Sequence, residues 1–181
     1  MNRSIFVAVI LSNLLSISST QAAISPATLE EIKAVEFNGD NIITSGLPSD
    51  AEFAKLQQAG VDLVINLIPA GNPSGHQDEA SLVTGANMEY VHIGVDWNKP
   101  TREDVEQFFK IMDANQGKDI LIHCAANYRA SAFYYLYQLK SGVKDGEAIQ
   151  QSTLRPWGDL SSSFTEYPQW QKLIEEVKET L

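Results

Sequence analysis

Apolar positions along the chain follow two patterns. Runs rich in β-branched and aliphatic residues recur at 61–68 (VDLVINLI), 89–95 (EYVHIGV) and 119–122 (DILI), with a shorter one at 42–44 (IIT). Such runs predict strands, and the nearly continuous ones predict strands covered on both faces. Between them the apolar residues recur at helical spacing. Ser49-Asp50-Ala51-Glu52 has capping-box spacing and Gly60 suits a left-handed stop, so a helix is expected between them. Thr101 is expected to cap a helix whose stripe is Val105, Phe108, Phe109 and Met112. Another helix is expected from near Ala130 to Gly142, and a last one after Tyr167-Pro168 with Trp170, Leu173, Ile174 and Val177 inward. Shorter helices are expected over 27–34, over 76–84, and after Asp145 as its cap. The segments 69–75, 96–100 and 155–158 read as loops.

Strands alternating with helices predict an α/β fold: a central, mainly parallel sheet flanked by helices on both faces. Ligands on such sheets bind beyond the carboxyl ends of the strands. The functional residues are therefore sought in the loops that follow each strand.

The first residues follow a different plan. Arg3 supplies a positive start, 5–17 (IFVAVILSNLLSI) is mostly apolar, and SSTQAA follows. This layout predicts a secretory signal over 1–22, cut after Ala22, and one domain over 23–181. The apolar run is interrupted by Ser12 and Asn13 and is short for a membrane span, so no membrane association is expected once it is removed. The expected location is periplasmic or secreted. An exported chain meets an oxidising compartment, where an unpaired thiol is a hazard. Cys124 is the one cysteine among 181 residues, so its presence calls for an explanation.

Charge narrows the partners. Lys and Arg number 13 against 23 Asp and Glu, a formal charge of −10. Neither nucleic acid nor an anionic membrane is attracted to such a chain. A single cysteine excludes an intrachain disulfide and any multi-cysteine zinc site. His76 and His92 belong to no metal-binding constellation, and neither metal nor cofactor is expected. A small anionic or phosphorylated substrate fits better than a polyanion. The sequence sets no oligomeric state.

The segment DILI-HCAANYR-ASAFYYLYQLK reads as strand, short loop and helix. Amide N–H groups at a helix start form a cradle for an anion, and the same partial positive charge favours a thiolate placed there. Ala125, Ala126, Asn127, Tyr128, Arg129 and Ala130 would line that cradle. Arg129 adds a fork of donors suited to a tetrahedral oxyanion. A nucleophile, an anion cradle and a clamp within six residues are what attack on phosphate or a similar anion requires.

Residues 41–142 resemble the cysteine-dependent phosphatases of the protein tyrosine and dual-specificity superfamily. His-Cys after a buried strand, then Arg, then Ser carry that resemblance. Within the superfamily, DNIITSGLPSDAEFAKLQQAGVDLVINLIP and EYVHIGVDWNKPTREDVEQF are most similar to the phosphatase-like domain of beta-lactamase-hydrolase-like proteins. The resemblance implies Cys124 as nucleophile through a cysteinyl-phosphate and Arg129 as the phosphoryl clamp. It implies Ser131 as a donor to sulfur and His123 as support for the thiolate. It implies Asp96, on the loop after EYVHIGV, as general acid and then base. On residue type alone, Asp96 is equally an Asx-turn residue.

The loop departs from the phosphatase pattern in one respect. Four residues separate Cys124 from Arg129 instead of five, and none is Gly. Tight anion loops often need positive φ, which Asn127 tolerates better than most residues. The shorter loop is similar to that of rhodanese-type sulfurtransferases, which carry a persulfide on Cys. Three readings stay open: a phosphate-monoester hydrolase, a sulfurtransferase, and a non-catalytic anion-binding module.

Overall fold

The computed structural model describes residues 24–181, so the signal expected over 1–22 lies outside the described residues. Among the described residues no helix is long and apolar enough to cross a membrane.

Five strands form one sheet: β1 (Glu36–Asn38), β2 (Ile42–Ser45), β3 (Leu63–Asn66), β4 (Glu89–His92) and β5 (Ile120–His123). Their order is β1-β2-β5-β3-β4, with β1 antiparallel to β2 and every other pairing parallel. The alternation of side chains along a strand divides the core in two. Ile42, Leu63, Ile65, Ile120 and Ile122 face one apolar cluster, while Ile43, Val64 and Leu121 face the other. The first cluster is closed by α3 (Arg102–Ala114), α4 (Tyr128–Lys140) and α7 (Pro168–Lys178) through Val105, Phe108, Phe133, Trp170 and Ile174. The second is closed by α1 (Asp50–Gln58) and α2 (Glu79–Gly85), with Phe53, Leu56 and Val83, and by Leu29 and Ile32 ahead of the sheet. The expected sheet with helices on both faces is thus present.

Local signals explain most boundaries. Ser49 with Glu52, and Thr101 with Asp104, form capping boxes that open α1 and α3. Gly60, at φ +106°, takes the turn after α1. Several expectations need correction. Residues 27–34 do not form a helix; a single 3-10 turn, Pro26–Thr28, is followed by turns and bends. Isolated helices this short are costly to nucleate, and here Leu29 and Ile32 reach the core without one. Residues 76–78 stay outside α2, which Asp78 caps. Asp145 does not cap α5 (Glu147–Thr153); Gly146 holds that position, and Asp145 bonds instead to Tyr135 and Lys178. Residues 155–157 form a 3-10 turn, and α6 (Leu160–Glu166) follows it.

β5 lies at the centre of the sheet and α4 leaves directly from its carboxyl end. Register sets Ser45, His123, Asn66 and His92 at one level across β2, β5, β3 and β4. Cys124 is therefore flanked by the loops that follow β2 and β3.

Candidate active site

Pleating sends His123 and Cys124 to opposite faces of the sheet. Cys124 joins the cluster under α4, and His123 points towards α2. Cys124 is 1% exposed, whereas Ala125, Ala126 and Tyr128, which follow it in the loop, are partly exposed. Its N–H donates to the Ser45 carbonyl (3.2 Å), which ties the loop to β2.

The loop turns at Asn127, which adopts φ +68°, the left-handed conformation that the absence of glycine left to this residue. α4 then starts at Tyr128, two residues before the expected Ala130. The amides of Tyr128, Arg129 and Ala130 are in the first turn and have no intrahelical acceptor. Three loop carbonyls are engaged from outside. Ala125 O accepts from Lys33 Nζ (2.8 Å), Asn127 O from Ser131 Oγ (2.7 Å), and Tyr128 O from Trp157 Nε1 (3.0 Å). A trans peptide points its N–H away from its C=O. The amides of Ala126, Tyr128 and Arg129 are thus aimed away from those clamps. The Ser131 hydroxyl donates to the carbonyls of Asn127 (2.7 Å) and Tyr128 (3.1 Å), a common bond for serine in a helix.

Arg129 is 6% exposed. Its Nη1 donates to the carbonyls of Leu67 (2.8 Å), directly after β3, and Val95 (3.3 Å), in the loop after β4. Its Nε is buried and has no partner among the described residues. Burial lowers the Arg129 pKa from its ordinary value, and negative charge on Cys124 and on Asp96 opposes that shift. Cys124 and Asp96, both singled out in the sequence, thus lie within electrostatic reach of Arg129.

Asp96 is exposed and its Oδ1 accepts from the N–H of Asn98 (2.8 Å), an Asx turn, so the turn role and proximity to Arg129 coexist. The loop is anchored by α7: the Trp97 carbonyl accepts from Trp170 Nε1 (3.0 Å) and Gln169 Nε2 (3.2 Å). Trp97 sits 5.9 Å from the Tyr128 ring and 4.9 Å from Tyr167, and Tyr128 stacks on Trp157 at 4.9 Å. Half-buried Trp97 and Tyr128 thus form an aromatic wall that joins the loop after β4 to the start of α4. The segment 155–158, expected as a loop, backs that wall and is tied to β1 by the Arg155–Glu36 fork (Nε–Oε1 2.7 Å).

His123 is held by a residue the sequence did not single out. Its Nε2 lies 2.7 Å from Glu79 Oε1, both side chains are buried, and His123 Nδ1 and Glu79 Oε2 have no partner among the described residues. The other two histidines are engaged outside the loop: His76 with Asp50 and the Pro48 carbonyl, His92 with the Ile68 carbonyl.

A parallel sheet whose central strand delivers a cysteine into an arginine-closed helix-start loop is the architecture of the cysteine-dependent protein tyrosine and dual-specificity phosphatases. The chain belongs to the family Tc-R-P, described as polymorphic toxin system, DSP-PTPase phosphatase, whose model matches residues 41–148. It is 49% identical to a protein of Shewanella putrefaciens CN-32 assigned as a candidate phosphatase (DUF442), over 86% of this chain and 96% of that one, with a TM-score of 0.77. At the level of fold alone it is similar to a cysteine-to-serine variant of P. aeruginosa TpbA in complex with pTyr: 15% identity, 90% and 97% coverage, TM-score 0.62. Tk-PTP in its active form is likewise similar in fold, at 16% identity, 82% and 98% coverage and a TM-score of 0.60. No curated protein matches the chain. These relationships place it among cysteine-dependent phosphatases.

Proposed function

We propose that the protein is an exported phosphatase that hydrolyses a phosphate monoester through a cysteinyl-phosphate on Cys124. The observation that carries the proposal is the division of labour on Arg129. Nη1 is locked to two backbone carbonyls, Nε is buried and unpartnered, and Cys124 and Asp96 both act on the guanidinium. A buried donor with no partner is costly unless a ligand satisfies it, and a phosphoryl oxygen would do so.

In the first step the Cys124 thiolate attacks phosphorus and the bond to the ester oxygen breaks. Asp96 gives its proton to the departing alcohol. Arg129 and the amides of the cradle hold the equatorial oxygens, where charge develops. In the second step Asp96 takes a proton from water, the hydroxide attacks phosphorus, and the S–P bond breaks to release phosphate and restore the thiolate. His123 would hold the strand end behind the sulfur. The wall of Trp97 and Tyr128 favours a flat leaving group, and the net charge of −10 disfavours a polyanionic one.

The test is hydrolysis of an aryl phosphate, with a phosphoryl adduct trapped on Cys124 by acid quench and mass spectrometry. Cys124→Ser is expected to lower the rate by about 10³-fold or more. Inorganic phosphate is expected to shield Cys124 from iodoacetamide. If Cys124 reacts with iodoacetamide only after unfolding, or Cys124→Ser keeps its rate, the proposal is wrong. Export is checked by fractionation and by an N-terminus beginning at Ala23. The spacing of four residues between Cys124 and Arg129 favours a second reading, sulfur transfer. Its signature is thiocyanate formed from thiosulfate and cyanide, with a persulfide mass on Cys124.

A further inference from the structure

We infer that Lys33 and Ala34, ahead of the sheet, are positioning residues that form a strap holding the short anion loop in its binding shape. The inference rests on the anion-loop reading above. Both residues precede the region matched by the family model, 41–148.

The strap is rooted in the core through Leu29 and Ile32, which are buried against the α1–α2 side of the sheet. It then makes a sharp turn at Ala34, whose φ is +48°. A residue with a Cβ is disfavoured there and stays only where its surroundings over-determine it. Two side-chain bonds and one backbone bond do so. Asn127 Nδ2 donates to the Ala34 carbonyl (2.7 Å), Gly46 N donates to the Lys33 carbonyl (2.7 Å), and Lys33 Nζ donates to the Ala125 carbonyl (2.8 Å). Gly46 is needed for this approach. A Cβ there would stand 3.0 Å from the Lys33 carbonyl oxygen and from two carbons of its side chain.

The two side-chain bonds grip the loop where its shape is decided. Lys33 draws the Ala125 carbonyl outward, so the Ala126 N–H is turned the other way. Ala34 takes the side chain of Asn127, the residue that supplies the positive φ of a loop without glycine. Asn127 does not cap α4 with its side chain, and its Oδ1 has no partner among the described residues, so the amides at the helix start stay uncovered. Lys33 is exposed, yet its long side chain is pinned on one acceptor, at an entropic cost. Its ammonium also brings positive charge to the rim of the cradle in a chain of net charge −10.

The experiment compares Lys33→Met, which keeps the stem and drops the ammonium, with Lys33→Arg, and adds Asn127→Gly, which permits positive φ but loses the clasp. Amide hydrogen exchange is read across residues 125–130 in the anion-free protein, together with affinity for inorganic phosphate. In Lys33→Met and Asn127→Gly, exchange in this loop is expected to rise about 10-fold while the sheet is unchanged. Phosphate affinity is expected to fall about 10-fold in both, with Tm held within about 2 °C in Lys33→Met. Lys33→Arg is expected to restore both. Wild-type loop exchange and phosphate affinity in Lys33→Met would overturn the inference. So would faster exchange spread over the whole protein, which marks an ordinary stabilising contact. Exchange needs no substrate, so an inactive wild-type enzyme would end the phosphatase proposal without deciding the strap.

Discussion

His123 Nε2 lies 2.7 Å from Glu79 Oε1, and this pair joins β5 to α2 directly behind the cysteine loop. Both side chains are closed to solvent, so neither group can turn to water if the other is removed. Glu79→Ala is expected to cost about 1–3 kcal/mol, the range for leaving a buried polar group without its partner. Glu79→Gln, which keeps an acceptor for the ring N–H, should cost less than half of that. Urea unfolding of the two variants measures both values. A loss below about 1 kcal/mol in Glu79→Ala would mean that the pair contributes little.

Arg129 has two tasks that one ammonium cannot share. Nη1 satisfies the Leu67 and Val95 carbonyls while Nε stays unpartnered beside them. Lysine offers a point charge without the planar fork. Arg129→Lys is expected to weaken phosphate binding about 10–100-fold. Arg129→Ala should also destabilise the fold, because the Val95 carbonyl loses its donor at about 1–3 kcal/mol, while the Leu67 carbonyl keeps the Val95 N–H (3.3 Å). Titration calorimetry and thermal melts separate the two effects. Equal phosphate affinity in wild type and Arg129→Lys would remove Arg129 from anion binding.

Asp96→Asn separates chemistry from architecture. The Asx turn needs only an acceptor for the Asn98 N–H, and an asparagine oxygen provides one. The Trp97 anchor to α7 is also untouched. The variant should therefore fold and bind phosphate as wild type does, while kcat falls about 10²–10⁴-fold. Alkyl phosphates, whose poor leaving groups need the proton more, should lose the most. An unchanged kcat on an alkyl phosphate would leave Asp96 as a turn residue only. Sulfur transfer would be indifferent to this change.

The chemistry-bearing loop was legible because its signals are local. Strand, cysteine, arginine and helix follow each other within about 20 residues, and the lack of glycine pointed to Asn127 for the positive φ it adopts. Long-range partners left no such trace. Lys33 reaches Ala125 across 92 positions, and Glu79 reaches His123 across 44. A buried carboxylate in the first turn of a helix looks in sequence like any dipole-favoured surface acid. Strand β1, with three residues and a mixed burial pattern, is too short to show a period. For Ser131 the family position points to sulfur, and only its neighbours reveal that the first-turn carbonyls take the hydroxyl. Asp145 fits a cap by residue type, but a hydroxyl donor from Tyr135 and a cation from Lys178 compete for it.

That competition gives a pH signature. Hydrogen bonding from Lys178, and then from Tyr135, holds the Asp145 carboxyl well below its ordinary range. The folded value is below the unfolded one, so the stabilisation is complete above the unfolded pKa of about 3.9 and is lost as pH falls through the folded pKa. The carboxylate is one-third exposed, 34%, so water screens the interaction and its worth is held to about 1 kcal/mol. At pH 7 Asp145→Asn should melt a few degrees below wild type, roughly 2–4 °C for a chain of this size. As pH falls below about 4 the unfolded chain takes up this proton before the folded one does, so the two melting curves should converge. Melts of both proteins from about pH 2 to pH 7 read this directly. A deficit that persists undiminished at the acid end of that range would show that shape, not charge, sets the contribution of Asp145.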